Sequence, residues 1–193
     1  MKSKIMNISD TITEKLSMTK DIPLLGIRLL LAYAFYGPAM EKWSNMEATI
    51  AWFGNPDWGL GLPFPELNAY MAASTEIVGV VLLVLGIGTR LISIPMIFVM
   101  LMAYFTVHID HGWLAIASSS ADPGVAERLG IAREILQENG NYSWLTEKGS
   151  FVILQNGAEF VITYIVMLFT LISFGPGRIS IEGILRRATF SKE

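Results

Sequence analysis

The sequence predicts an all-α, polytopic membrane protein, built as a bundle of four transmembrane helices with short interfacial helices. Of its 193 residues, 52% are hydrophobic and only 16% are charged, whereas a typical soluble domain carries roughly 25% charged residues. The charges are also clustered, which leaves four long segments almost free of them. A chain of this size can hide so many apolar side chains only within a much larger assembly or in lipid.

The four apolar segments approach the length that a membrane requires. Crossing a hydrocarbon core of roughly 30 Å takes about 20 helical residues at 1.5 Å each. Backbone groups cannot be left unpaired in lipid, and no segment alternates polar and apolar residues as a β-barrel strand does. We therefore expect four helices within a single membrane domain, 1–193, at residues 22–40, 67–88, 91–107 and 151–174.

The distribution of Lys and Arg predicts the orientation. Basic residues are concentrated before the first segment and after the fourth, and the longer loops, 41–66 and 108–150, hold few. By the positive-inside rule, both termini are cytoplasmic and both longer loops lie outside. The terminal basic residues are Lys2, Lys4, Lys15, Lys20, Arg178, Arg186, Arg187 and Lys192.

Regions outside the four segments carry their own helix and turn signals. Apolar residues at helical spacing in 5–16 and 181–185 predict helices along the inner surface. A short amphipathic helix is predicted to begin at Asp122 and Pro123, its N-cap and first turn, and to end at Asn139-Gly140. The stretch 51–66 contains four aromatic residues and a turn at 55–57. The glycines at 86–88 and 175–177 are interpreted as helix C-caps.

Ionisable side chains at membrane depth are functional candidates, because each is costly unless it is paired. Glu76 and Glu159 are predicted at similar depth, with His108 near the outer end of the third segment. We expect these groups to form an outward-facing polar pocket whose candidate residues are Glu76, Glu159, His108, Glu41, Lys42, Asp110 and His111. Arg28 and Arg90 are structural or anchor candidates, and Arg28 is expected to extend to the cytoplasmic surface.

Two buried carboxylates at one depth do not both ionise without a cation between them. One glutamate could remain protonated, as in a proton-coupled or quinone site. Lys42, the best placed basic residue, could neutralise them. A metal ion held by Glu76, Glu159 and His108 could do the same. Alternatively, each glutamate only satisfies a neighbouring helix and fixes its pairing.

Composition excludes several kinds of chemistry. The chain has no cysteine, so it forms no disulfide, no thiolate nucleophile and no cysteine-ligated metal centre. Its 14 basic and 17 acidic residues give a net charge of −3, which offers no electrostatic footprint for nucleic acid.

Several motifs resemble the DoxX family of four-helix bacterial membrane proteins. They are Arg28-Leu29-Leu30, Gly37, Lys42, Glu76-Ile77-Val78-Gly79, Gly88-Thr89-Arg90 and Val107-His108. Residues 52–63, 108–113 and 155–160 are most similar to a sub-group that accompanies the maturation of copper-binding modified peptides (RiPPs). The resemblance implies location in the bacterial cytoplasmic (inner) membrane and a link to metal or redox stress.

The leading functional hypothesis is an accessory membrane protein of a metal- or redox-stress system. It would act in copper handling, or in the maturation or export of a copper-binding peptide, with the modified peptide or an enzyme of that system as partner. The alternatives are a quinone-binding subunit of a membrane oxidoreductase and a non-catalytic scaffold. Copper or another divalent metal, or quinone, is the candidate cofactor; enzymatic activity and oligomeric state are left open.

Overall fold

The computed structural model describes residues 19–117 and 123–190, without the side chain of Phe190. Over these residues the regular secondary structure is helical apart from one pair of two-residue strands. In chain order the elements are α1 (Asp21–Ser44), α2 (Met46–Gly54), α3 (Pro65–Leu85), α4 (Thr89–Ala103), β1 (Ile116–Ala117), α5 (Pro123–Asn139), α6 (Tyr142–Leu145), β2 (Ile153–Leu154), α7 (Glu159–Phe174) and α8 (Ile181–Phe190). They belong to two compact units: Met1–Met102 with Tyr164–Glu193, and Ala103–Thr163.

Among the residues that the structure describes, three helices are long and apolar enough to cross a membrane. They are α1, α3 and the continuous helix Thr89–His111, with 24, 21 and 23 residues. The last consists of α4, a π-helical turn at Tyr104–His108 and a 3₁₀ turn at Ile109–His111. Many large apolar side chains on these helices point outward, which suits lipid and not water. The protein is therefore an all-α polytopic membrane protein, as predicted.

The first unit packs around α1 and α3. These two helices lie along one another, and α2 also packs against α3. Its largest fully buried apolar side chains are Leu31, Leu83, Met96, Leu168 and Leu171. Close packing explains the glycine at position 79, because a Cβ there would lie 2.6 Å from the sulfur of Met96. The small residue thus admits the α4 side chain against α3.

The predicted glycine caps are confirmed. Gly86 ends α3 with φ 66°, and its amide and that of Ile87 both donate to the Leu82 carbonyl, at 2.8 and 3.1 Å. Gly175 has φ 75° and its amide donates to the Leu171 carbonyl at 2.8 Å. Glycine adopts this left-handed conformation without the steric cost that a side chain would add.

The fourth apolar helix differs from the prediction. Residues 151–174 were expected to form one span, but α7 begins only at Glu159 and has 16 residues. The preceding residues are extended, because β2 pairs antiparallel with β1 and because the amides of Gln155 and Gly157 donate to carbonyls at 114–115. At 1.5 Å per residue α7 is about 24 Å long. Hydrophobicity alone did not reveal this pairing between segments distant in sequence.

The smaller helices agree with the sequence in part. α5 lies where an amphipathic helix was predicted, with Leu129 buried, and α8 occupies the predicted C-terminal surface segment. Asn55 accepts from the amides of Asp57 and Trp58 at 2.8 and 3.2 Å, which confirms the turn at 55–57. Helix α2 was not predicted. The proposed helix at 5–16, the N-cap residue Asp122 and Lys192 lie outside the described residues.

Candidate functional site

A buried ion pair joins α1 to α3. The Lys42 ammonium nitrogen lies 3.0 and 2.9 Å from the two carboxylate oxygens of Glu76. Glu76 is 3% exposed and the Lys42 side chain 22% exposed. The carboxylate is therefore enclosed, and the ammonium group is its more accessible partner. Of the three ways considered for neutralising Glu76, the structure contains the one that uses Lys42.

Helix geometry explains why these two side chains meet. Lys42 is in the last turn of α1, and Glu76 lies eleven residues, or about 16 Å, beyond the start of α3. Trp43 of α1 also packs edge-on against Tyr70 of α3, with ring centroids 6.4 Å apart. The preceding candidate, Glu41, is exposed. Only one of the two adjacent charged residues thus enters the contact between the helices.

The structure contradicts the position predicted for Arg28. It was expected to extend to the cytoplasmic surface, but its side chain is 1% exposed. The guanidinium donates to the Leu83 carbonyl at 3.3 Å and also to the Ile179 carbonyl. Leu83 lies in the last turn of α3, whose carbonyls lack helical partners and form the negative end of the helix dipole. Arg28 therefore joins α1, the end of α3 and the segment before α8.

The other anchor candidate, Arg90, is exposed. Its guanidinium donates to the Ser173 carbonyl at the end of α7, at 3.4 Å. Like Arg28, it provides positive charge where a helix terminates. A related contact was missed by sequence reasoning: the buried Asp21 accepts from the Arg178 amide at 2.7 Å. The clustering of charge at the ends of the first and fourth segments was its only sequence signal.

In the second unit, His108 is held by a backbone group. Its Nδ1 lies 2.7 Å from the Asn156 carbonyl oxygen. Because a carbonyl only accepts, Nδ1 carries the proton, and in the neutral ring Nε2 is left as an acceptor. Asn156 itself has a left-handed φ of 59°, a conformation that Asn tolerates better than most residues. The sequence analysis did not single out Asn156.

Glu159 begins α7 instead of lying inside a long span. One of its carboxylate oxygens accepts from the Ala115 amide at 3.2 Å, and its own amide donates to the Trp113 carbonyl at 2.9 Å. It therefore fixes the loop before β1 against the start of α7. Asp110 and His111 are exposed in the 3₁₀ turn. A pocket that unites all the candidate residues stays a prediction.

Within the part of the chain that the structure describes, no three His, Cys, Asp or Glu side chains are grouped so as to hold a metal ion. The proposed ligand set of Glu76, Glu159 and His108 is therefore without support among the described residues. Glu76 instead has Lys42 as its counter-ion, and Glu159 has a backbone donor. His108 does have one feature of metal-ligating histidines. Its Nδ1 is fixed by a backbone carbonyl, which leaves Nε2 as the nitrogen that could bind a metal.

The chain is similar to two curated bacterial proteins. It is 21% identical over 170 residues to an uncharacterized protein of Haemophilus influenzae, covering 86% of this chain and 85% of that one. It is 31% identical over 87 residues to "Putative oxidoreductase CatD" of Bacillus subtilis, covering 45% of this chain and 60% of that protein. No solved structure matches significantly.

The family comparison covers the region that holds the buried ion pair. The DoxX family model matches residues 23–109, from the start of α1 to the end of the third long helix. This interval contains Arg28, Lys42, Glu76, Arg90 and His108, the residues on which the sequence resemblance depends. Extension of the domain to the whole of 1–193 stays a prediction. The protein carries a DoxX family domain over residues 23–109.

Proposed function

We propose that this protein is an integral-membrane component of a redox system and that the Lys42–Glu76 pair is its working site. The observation that carries the proposal is the enclosure of this pair between α1 and α3, within the DoxX domain. A buried charge pair is a poor way to stabilise a fold, because desolvation offsets much of the attraction. Charged groups retained at membrane depth commonly serve transport or proton transfer.

A quinone is the substrate class that this site would suit. Its ring is apolar enough to enter from the bilayer, and its carbonyl oxygens accept hydrogen bonds. Lys42 would donate to one carbonyl oxygen, and Glu76 would hold and orient the ammonium group. Reduction takes two electrons and two protons and yields the quinol. A partner dehydrogenase would supply the electrons, and the Lys42–Glu76 pair would pass protons to the quinone oxygens and recover them from water.

The similarity to CatD, which is named as an oxidoreductase, adds support for a redox role. Its similarity covers 87 residues, or 45% of this chain. The cysteine-free sequence confines any proton chemistry to carboxylates, amines, histidines and hydroxyls. A buried Lys–Glu pair is consistent with that restriction.

Photo-crosslinking with a quinone analogue tests the proposal. The full-length protein, purified in detergent, should be labelled saturably by an azido-quinone, and unlabelled quinone should compete. Lys42→Met and Glu76→Gln should each reduce specific labelling at least tenfold. Glu41→Gln, which changes the exposed neighbour, should leave it unchanged. Labelling that does not saturate, or that is equal in all these variants, would contradict a quinone site.

Copper handling is a second candidate, supported by the orientation of His108. With Nδ1 bonded to the Asn156 carbonyl, Nε2 could ligate a metal whose other ligands come from a modified peptide. The resemblance of residues 52–63 and 108–113 to the copper-peptide sub-group supports the same assignment. It predicts that the purified protein retains copper(I) only with peptide present, and that His108→Ala abolishes retention. Equal retention by the His108→Ala variant would exclude this role.

A further inference from the structure

A cleft of about 520 Å³ opens in the first unit where α1 begins and α7 ends. We propose that this cleft, called here the basic cleft, binds the phosphate headgroup of an anionic phospholipid. Its volume falls within the range of about 300–1,000 Å³ that is typical of small-ligand sites. The lipid site is independent of the redox function proposed above and uses different residues.

Positive charge dominates the wall of the basic cleft. Five basic side chains line it and only two carboxylates, those of Asp21 and Glu182. The basic residues are Lys20, Arg90, Arg178, Arg186 and Arg187. Such an excess attracts an anion, and guanidinium groups match the oxygen geometry of a phosphate.

Both carboxylates are already engaged. Asp21 accepts from the Arg178 amide at 2.7 Å and lies 3.9 Å from its guanidinium, and Glu182 is 2.7 Å from Arg186 on the same face of α8. The guanidinium of Arg90 donates to the Ser173 carbonyl. That of Arg187 donates to the carbonyls of Gly183 and Arg178, at 3.1 and 2.6 Å. Carbonyls carry no net charge, so these two guanidinium groups retain an uncompensated charge toward the cleft.

The rest of the wall is apolar, and this decides between a lipid and a free phosphate. Leu24, Ile27 and Phe174 line the same cleft, and Phe174 is 69% exposed. Inorganic phosphate would gain nothing from these side chains. A phospholipid would place its phosphate among the guanidinium groups and its acyl chain along the apolar side.

The position of the cleft fits the same ligand. It lies where α1 begins and α7 ends, which is where an apolar helix meets the headgroup layer. The adjoining α8 exposes Ile184 and Leu185 by 59% and 60%, alongside Arg186 and Arg187. A helix with this combination of apolar and basic residues lies in the plane of a membrane surface that contains anionic lipid.

Native mass spectrometry of the full-length protein in detergent tests the assignment. The protein is titrated with phosphatidylglycerol, and with phosphatidylcholine of the same acyl chains. We expect preferential binding of phosphatidylglycerol and a loss of about 30-fold in the Arg90→Gln/Arg187→Gln variant, from about 1 kcal/mol for each basic group. Glutamine keeps a donor for the carbonyls, which preserves the local bonds. The single change Lys20→Gln, at an exposed residue, should reduce binding about fivefold.

The matched control is Arg128→Gln/Lys148→Gln, which removes two exposed charges in the second unit and should leave binding unchanged. Equal binding of the two lipids, or an equal loss in this control, would overturn the proposal. Inorganic phosphate is the remaining probe. If it displaced phosphatidylglycerol at concentrations similar to those of the lipid, the site would be one for free phosphate and the lipid assignment would fail.

Discussion

The Lys42 ammonium group donates to both carboxylate oxygens of Glu76, 34 residues further along the chain, and thereby fastens the end of α1 to the middle of α3. Removing one partner leaves the other charge enclosed and uncompensated. We therefore expect Lys42→Met or Glu76→Gln to lower the free energy of unfolding by about 3–5 kcal/mol. Denaturant titration in detergent micelles measures this change.

The double variant Lys42→Met/Glu76→Leu provides the control for this pair. It removes both charges together, so its stability should lie within about 1.5 kcal/mol of the wild-type value or exceed it. If the double variant lost as much unfolding free energy as the two single variants together, the two residues would not act as a pair. If the double variant folds but fails to bind quinone, the pair serves function more than stability.

Loss of the Arg28 side chain should cause a different defect. Arg28→Met removes the donors to the Leu83 and Ile179 carbonyls, so the segment before α8 should detach from the helix bundle. Limited proteolysis should then cut near residue 179 at least tenfold faster than in the wild-type protein. Arg128→Gln, an exposed arginine elsewhere, should leave the cleavage rate unchanged. Unaltered cleavage in Arg28→Met would refute the anchoring role.

Two glycines with similar backbone conformations should respond differently to alanine. Gly86 and Gly88 have φ values of 66° and 56°. A Cβ on Gly86 would collide with the Arg28 guanidinium and lie 2.5 Å from the Ser180 Cβ, whereas nothing lies within 4 Å of a Cβ on Gly88. Gly88→Ala should cost about 1–2 kcal/mol, the penalty of the left-handed conformation alone. Gly86→Ala should cost more, and equal melting temperatures would contradict the close approach.

Two substitutions of Glu159 distinguish a structural role of its carboxylate from a chemical one. Glu159→Gln keeps an oxygen that can accept from the Ala115 amide, so hydrogen exchange at Ala115 should remain slow. Glu159→Ala removes this acceptor and should accelerate that exchange at least fivefold. If Glu159→Gln abolishes function while exchange stays slow, the carboxylate has a chemical role beyond holding the loop.

The predicted orientation can be tested with single cysteines, because the native chain has none. Thr189→Cys and Lys148→Cys are both at exposed positions. In intact cells, a membrane-impermeant maleimide should label Lys148→Cys and should reach Thr189→Cys only after permeabilisation. The opposite pattern would place the C-terminus outside.

Sequence predicted the membrane class and the three long helices because hydrophobic length is a direct consequence of bilayer thickness. It also identified Lys42 as the best placed partner for a glutamate, and Glu76 is the one that it contacts. The predicted start of α7 was wrong because the pairing of residues 153–158 with 112–117 depends on contacts distant in sequence. Burial of Arg28 was missed for the same reason, since its acceptors at Leu83 and Ile179 lie 55 and 151 residues away.

The contacts made by Asp21 and Arg28 also constrain synthesis of the chain. The partners of these residues, Arg178 and Ile179, leave the ribosome 157 and 151 residues later, respectively. Until they emerge, the Arg28 guanidinium lacks its acceptor at Ile179 and the Asp21 carboxylate lacks its donor at Arg178. Helix α1 therefore gains these contacts only after residues 178 and 179 have been synthesised. A chain that stops short of residue 178 should therefore be recognised and degraded as an unfinished membrane protein.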